Sequence, residues 1–215
     1  MAQDLSIASR YELLLQINEI ARRESTTDDL FQRVCAELGK LIAYDRASLT
    51  LYDAEHDSLK IESLYGSYDN SAFVVGAMLP RKDTQNGLTF DHQRMILRCD
   101  LRREFQFRGE KLTLDEGYRS LCSVPLIFRG NSLGVVTIVG TRTNQFSMAQ
   151  GQLVQEVSNQ ITPAIVSLFR RCPVHFHSKL VCPKCLGAAG GRTTVSKHHD
   201  DLSAWGKKGG RGKKQ

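Results

Sequence analysis

The apolar residues of this chain change their spacing twice, and this pattern constrains the fold more than any other feature. Aliphatic residues recur every three or four positions between 13 and 41, in two segments separated by the polar stretch 24–27. From Arg46 the spacing becomes two, and it returns to three and four after Ser147. A spacing of three or four indicates a helix with one buried face, whereas a spacing of two indicates a half-buried strand. The predicted order is therefore two helices, a sheet and a closing helix.

The helical segments carry signals for where they begin. Ser9 and Glu12 can form a capping box ahead of the first apolar stripe, and Asp28 favours the start of a second helix. Ser147 can cap the closing helix, and Pro163 should kink it. Five apolar residues of the closing helix share one face: Leu153, Val157, Ile161, Ile165 and Leu168.

The central region predicts an antiparallel sheet of about six strands, with the N-terminal and C-terminal helices packed on one face. This is an α+β fold. Pro125 cannot donate a hydrogen bond, so it should lie at a bulge or at an unpaired position. The predicted strands are 46–52, 59–65, 73–79, 95–99, 121–128 and 133–139, with a helical turn at 88–92.

The length of 215 residues suits one domain of about 150 residues plus an appendage.

Cys35, Cys99 and Cys122 lie singly in apolar segments, so we interpret them as reduced core residues. The sequence has no signal peptide and no apolar run long enough to span a bilayer, which predicts a soluble cytoplasmic protein without a membrane partner.

Charge divides the chain into two parts. Residues 170–215 carry a net charge of +9, whereas residues 1–169 carry −3. A basic end on an acidic body is typical of a protein whose polyanionic partner binds the end, although a solvated tail has the same composition. We divide the chain into a body (1–170), a cysteine- and histidine-containing segment (171–187) and a basic glycine- and lysine-rich tail (188–215).

Four segments of the body resemble GAF domains, especially the N-terminal sensory domains of formate hydrogenlyase-type transcriptional activators. They are DLFQRVCAEL at 29–38, DRASLTLYD at 45–53, GLTFDHQRMIL at 87–97 and VPLIFRGNSLGVV at 124–136. The resemblance covers residues 11–168. It implies a sensory protein that binds a small molecule between the sheet and a cap of irregular segments, and that forms a homodimer through its terminal helices.

Carried over by position, the resemblance implies a pocket formed by 75–84 and 97–100 against the sheet. The ligand-binding residues it predicts are Met78, Thr84, Leu97, Arg98, Asp100 and Cys122. It does not identify the ligand. The same fold includes free methionine sulfoxide reductases, whose cysteines must meet to exchange disulfides. Because Cys99 and Cys122 lie in apolar strand-like segments, we expect a protein without catalytic activity.

The segment 171–187 contains two short turns with the spacing of zinc ligands. Cys172 and His175 form one pair, and Cys182 and Cys185 form the other. Two residues between ligands allow both side chains to contact one tetrahedral ion, so these four residues predict a structural zinc site. His177 could replace His175, and a reduced, loosely structured segment is the alternative.

The tail resembles the glycine- and lysine-rich KGG repeats of bacterial stress proteins. Its basic residues and one tryptophan suit contacts to phosphates with base stacking, and a solubilising tail is the alternative. The candidate nucleic-acid contacts are Trp205, Lys207, Lys208, Arg211, Lys213 and Lys214. The predicted function is a regulatory protein that signals through dimerisation and through a nucleic-acid or protein partner of the tail. The alternative is a ligand-free dimeric scaffold whose zinc-stabilised tail binds nucleic acid.

Overall fold

A computed structural model describes residues 6–66 and 73–168 of the chain. Within these ranges, no helix combines the length and the apolar character needed to cross a membrane. The elements are α1 (Ile7–Arg23), α2 (Thr27–Leu38), β1 (Arg46–Asp53), β2 (Ser58–Gly66), β3 (Met78–Pro80), α3 (Gln85–His92), β4 (Ile96–Arg98), α4 (Leu101–Glu104), α5 (Arg108–Asp115), β5 (Ser120–Phe128), β6 (Asn131–Gly140) and α6 (Met148–Leu168).

The six strands form one antiparallel sheet in the order β3-β2-β1-β6-β5-β4. The two hairpins predicted from the sequence, β1–β2 and β5–β6, meet at the centre of the sheet, where Arg46 pairs with Val139. This confirms the predicted α+β fold with six strands. The strand expected at 73–79 is shorter than predicted, since only residues 78–80 pair with β2.

The first face of the sheet is covered by α1, α2 and α6, which enclose the main core. Most strand residues that point to this face are aliphatic and shielded from water, and each buried aliphatic side chain stabilises the fold by roughly 1.5–3 kcal/mol. The packing of the terminal helices on one face is therefore confirmed. The strand residues of the main core include Ala47, Leu49, Leu51, Cys122, Val124, Leu126, Val136 and Ile138.

The apolar stripes of the terminal helices serve this core. Leu13 and Ile17 of α1 are buried, and so are Leu153, Val157, Ile161 and Ile165 of α6. A different stripe of α1 remains exposed, because Ile7, Tyr11 and Leu15 follow one another at intervals of four residues and are 75%, 66% and 66% exposed. The apolar stripes that the sequence predicts for the terminal helices are thus buried within the monomer.

The helix starts differ in detail from those predicted. Ser6, and not Ser9, caps α1, because the Ser6 hydroxyl accepts from the Ser9 N–H at 3.1 Å. The capping box at α6 is confirmed: the Ser147 hydroxyl accepts from the Gln150 N–H at 3.2 Å, and the Gln150 side chain accepts from the Ser147 N–H at 2.9 Å.

An irregularity in β2 decides which of its side chains face the second side of the sheet. Leu49 pairs with Ser63 and Thr50 pairs with Ile61, so Glu62 is an extra residue in β2. The bulge lets Ser63 donate to the Asp28 carboxylate of α2 on the first face, while Ile61 points to the opposite face. Pro125 lies beyond β4, which pairs with residues 121–123 of β5, and next to a register shift at Leu126, as expected for a proline.

Candidate ligand-binding cavity

A cavity lies on the second face of the sheet, beneath α3 and α5. It contains about 660 Å³ of space that no atom occupies, its open mouth included. Side chains of β1, β2 and β6 form its floor, because alternate residues of each strand point to this face. The lining residues are Arg46, Ser48, Ile61, Phe73, Leu79, Thr84, Gln85, Asn86, Gly109, Glu110, Thr113, Thr137 and Val139.

A chain of buried hydrogen bonds connects the sheet to the start of α3. The Gln85 side-chain amide donates to the Ser123 hydroxyl, which lies 2.8 Å from the Thr137 hydroxyl. Thr137 in turn donates to the Asn86 amide oxygen at 3.2 Å. These four side chains are at most 9% exposed. Polar groups are buried at low cost only where they are hydrogen-bonded, so the chain fixes the amides of α3 above the sheet.

The N-terminus of α3 is held at the edge of the cavity by Thr84. The Thr84 hydroxyl accepts from the Gly87 N–H at 3.1 Å and donates to the Pro80 carbonyl at 2.7 Å. This cap aligns the first turn of the helix, whose first N–H groups have no partner inside the helix. The first turn therefore presents hydrogen-bond donors and the positive end of the helix dipole.

Among the residues that the structure describes, two charged side chains line the cavity, and each has a partner of opposite charge. Arg46 forms an ion pair with Glu116, and its guanidinium lies 4.1 Å from the centre of the Tyr118 ring. Glu110 is fully buried and accepts from the Arg98 guanidinium at 2.8 Å. The positive charge of Arg46 and the negative charge of Glu110 therefore balance each other in the lining.

The predicted ligand-binding residues are divided among three places. Thr84 lines the cavity. Arg98 does not line it, but its guanidinium donates to Glu110, which does. Met78 lies on the edge strand β3 and is 39% exposed. Asp100 caps α4, where its carboxylate accepts from the Arg102 N–H at 3.1 Å. Neither Met78 nor Asp100 lines the cavity.

Leu97 and Cys122 lie on the first face of the sheet, opposite to the cavity. The two residues are paired across β4 and β5, and both contact the core beneath α6. The reason is the alternation of β5, in which Cys122 points the same way as Val124 and Leu126. Sequence reasoning missed Ser123 and Thr137, although polar residues at alternate positions of apolar strands were a usable signal. It also missed the two amides of α3.

The cysteines of the described residues lie apart from the cavity lining. Cys35 and Cys122 are buried, and burial raises the pKa of each thiol to about 12. Both are core residues, as predicted, whereas Cys99 is half-buried. A thiol with a raised pKa is protonated at neutral pH and is a poor nucleophile.

The family of the chain follows from its sequence over most of the fold just described. The GAF domain family model matches residues 26–165, which include every strand and the cavity. The chain belongs to the GAF domain family. The finer resemblances, to formate hydrogenlyase-type activators in this GAF domain and to KGG repeats in the tail, remain predictions. No curated protein sequence matches the chain significantly.

Solved structures share the fold of this GAF domain at low sequence identity. The GAF domain of an Acinetobacter phosphoenolpyruvate-protein phosphotransferase is 16% identical, with a TM-score of 0.62 over 74% of this chain and 93% of its own. The GAF domain of a Bacillus halodurans two-component sensor histidine kinase is 17% identical, with a TM-score of 0.60 over 67% and 97%.

A third structure corrects one expectation. The free methionine-R-sulfoxide reductase of Neisseria meningitidis, solved in complex with its substrate, is 16% identical, with a TM-score of 0.63 over 76% of this chain and 93% of its own. The prediction that the chain has no catalytic activity is wrong, because an enzyme has the same fold. The fold is therefore compatible with catalysis. The apolar surroundings of the cysteines concern only the reactivity of the thiols. They do not exclude catalysis by other residues.

The candidate zinc ligands Cys172, His175, Cys182 and Cys185 lie outside the described residues. The same holds for the candidate nucleic-acid contacts Trp205, Lys207, Lys208, Arg211, Lys213 and Lys214. Both remain predictions from the sequence.

Proposed function

We propose that this GAF domain binds a small molecule in the cavity beneath α3 and α5, and that binding is the input of a cytoplasmic sensory or regulatory protein. The observation that carries the proposal is the contrast between the two faces of the sheet. The first face is packed with aliphatic side chains, whereas the second keeps Gln85, Asn86, Ser123 and Thr137 buried. Buried polar side chains add little stability, so their concentration around a cavity is typical of a recognition site.

Two of the similar structures support this proposal. The Bacillus halodurans GAF domain belongs to a two-component sensor, and the Neisseria meningitidis protein was solved in complex with its substrate. In both cases the likeness concerns the fold. The ligand of this chain has to be identified from its own cavity.

We propose that the signal leaves the domain through a homodimer formed by its terminal helices. The exposed stripe of Ile7, Tyr11 and Leu15 supports this, because three large apolar side chains on consecutive turns are unfavourable in water. Helix α1 packs on α6, so an interface on α1 is connected to the last described helix of the domain.

The basic tail is the second part of the proposal and rests on the sequence. A net charge of +9 in residues 170–215 favours a polyanionic partner, and zinc held by Cys172, His175, Cys182 and Cys185 would order the segment before it. Stoichiometric zinc in protein purified without chelator supports the site, and its absence contradicts it. A DNA or RNA mobility shift that requires residues 188–215 supports the nucleic-acid partner.

The test of the cavity is a thermal-shift screen of the full-length chain against a library of small metabolites. A compound that binds the folded state raises Tm by mass action. The blocking variant is Gly109→Leu, since Gly109 lines the cavity and a Cβ there meets no atom within 4 Å. Lys111→Leu adds the same side chain at an exposed position of α5 and should leave the hits unchanged.

We expect hits with the natural chain and with Lys111→Leu that disappear with Gly109→Leu. Hits that are equal in all three proteins would place binding outside the cavity and would contradict the proposal.

A further inference from the structure

We propose that the cavity takes a small monocarboxylate with an apolar body, and that the side-chain amide of Asn86 is the donor that binds its carboxylate. The inference rests on the proposed function and specifies its ligand. It follows from the direction of the buried hydrogen bonds, from the position of α3 and from the charges of the lining.

In the structure, the Oδ1 atom of Asn86 faces Thr137. Thr137 donates its only hydroxyl proton to the Asn86 Oδ1 atom, so the neighbouring Ser123 must donate to Thr137. Ser123 in turn accepts from Gln85. The chain of bonds thus runs in one direction and ends on the oxygen of Asn86, which leaves the Nδ2 amide of Asn86 as a pair of donors.

That amide has an unsatisfied donor capacity at the cavity. Within residues 6–66 and 73–168, no protein acceptor lies in hydrogen-bond range of the Asn86 Nδ2 atom. Asn86 is only 9% exposed and lines the cavity. An amide that faces a cavity without a protein acceptor is free to donate to a water or to a ligand oxygen there.

The backbone strengthens the preference for an anionic acceptor. Asn86 is the second residue of α3, an eight-residue helix whose first N–H groups lie on the side of Thr84. The Thr84 hydroxyl satisfies the Gly87 N–H, and the N–H groups of the first two residues are free of intrahelical bonds. A carboxylate at this end is stabilised by these donors and by the helix dipole.

The charges of the lining limit the ligand to one negative charge. The positive charge of Arg46 is already paired with Glu116, and the buried carboxylate of Glu110 would repel a dianion. The rest of the lining is mixed, and its apolar part is formed by Ile61, Phe73, Leu79 and Val139. These features favour a carboxylate with a short aliphatic or aromatic body over a phosphate.

The experiment uses the full-length chain and matched pairs of compounds. Butanoate, hexanoate, benzoate and phenylacetate are compared with their primary amides and with inorganic phosphate by ligand-observed NMR, and dissociation constants are measured for those that bind. We expect carboxylates to bind at least about tenfold more tightly than the corresponding amides, since hydrogen bonds to a charged group are the stronger ones.

Asn86→Asp isolates the proposed donor without removing the fold. The aspartate keeps an oxygen for Thr137, and because its carboxylate is buried in the same lining as Glu110, Tm of the variant is measured beside its affinity. The variant should bind the carboxylates at least about tenfold more weakly. Thr137→Val removes the hydroxyl that orients Asn86 and should weaken binding by a smaller factor. Asn159→Asp, on the exposed side of α6, is the matched control and should change nothing.

The outcomes separate this inference from the function it specifies. Amides that bind as well as acids, a preference for phosphate, or an unchanged affinity in Asn86→Asp would overturn the carboxylate assignment. If hits from the metabolite screen still require the natural Gly109, the cavity remains a ligand site. If none of the acids binds and the screen gives no cavity-dependent hit, both proposals fail.

Discussion

The backbone carbonyl of Arg81 lies directly against the Cα of Gly87. A Cβ on residue 87 would be 1.6 Å from the Arg81 oxygen and 2.6 Å from its carbonyl carbon, distances that no side chain can tolerate. This contact sets the first turn of α3 onto the loop after β3, and the amides of Gln85 and Asn86 depend on it for their place above the sheet.

Gly87→Ala is therefore expected to destabilise the chain by about 2–4 kcal/mol, since backbone must move to make room. For a domain of this size the loss corresponds to a fall in Tm of about 4–16 °C. Gly109→Ala is the matched control, because its Cβ meets no atom within 4 Å in helix α5. It should raise stability by about 0.5–1 kcal/mol through helix propensity. Equal Tm values for the two variants would contradict the close contact.

The buried ion pair between Arg46 and Glu116 gives a second prediction. Their side chains are 5% and 18% exposed, so Glu116→Gln removes a negative charge that faces the buried guanidinium. We expect a loss of about 1–3 kcal/mol in the free energy of unfolding, with the Tyr118 ring limiting the damage.

The neighbouring residue provides the control for that substitution. Asp115 is 58% exposed and lies 3.8 Å from Lys111, so Asp115→Asn should change stability by no more than about 0.5 kcal/mol. Urea unfolding of both variants measures the difference. A loss in Glu116→Gln as small as that in Asp115→Asn would show that the ion pair contributes nothing.

The two buried thiols predict a dependence on alkaline pH. Their ordinary pKa of 9.0 is raised to about 12 in the folded chain by burial. The folded state thus holds protons that the unfolded state loses between these values, so the free energy of unfolding should fall as pH rises from about 9 towards 12.

The same property is measurable by alkylation. At pH 8, Cys35 and Cys122 should remain unmodified by iodoacetamide in the native chain and react in urea, as read by peptide mass spectrometry. Rapid native labelling of Cys122 would contradict its place beneath α6.

The exposed stripe of α1 predicts the oligomeric state. Light scattering should give twice the 24.1 kDa chain mass for the natural protein, and a monomer for Tyr11→Lys combined with Leu15→Lys. Gln16→Lys adds a charge to an exposed position about 100° away around the helix and should leave the dimer intact. A natural chain that is monomeric at working concentrations would contradict the proposed output.

The sequence was a good guide to the parts of the fold made by regular patterns. The stripes of α1, α2 and α6 and the hairpins β1–β2 and β5–β6 follow from local periods, and contacts within a hairpin lie close in sequence. The helices over the second face were harder to predict. In α5 the sequence RGEKLTLD has a lysine beside a buried glutamate, and nothing in its spacing shows that Glu110 is covered by Arg98.

The candidate site depends on details that a periodic pattern does not contain. The bulge at Glu62 adds one residue to β2 and thereby turns Ile61 towards the cavity. The alternation of β5 already separates Cys122 from Ser123, but the resemblance to other GAF domains placed Cys122 at the pocket. The amides of α3 reach the sheet only because Gly87 allows the helix to approach Arg81, a tertiary contact without a local signal.

The most direct test of the central claim is a ¹H–¹⁵N NMR titration of the full-length chain with a compound found by the metabolite screen. The cavity account predicts the largest shift changes at the backbone amides of Gln85, Asn86, Thr113 and Thr137, with α1 and α6 little affected. Changes confined to α1, α6 or residues 169–215 would contradict it.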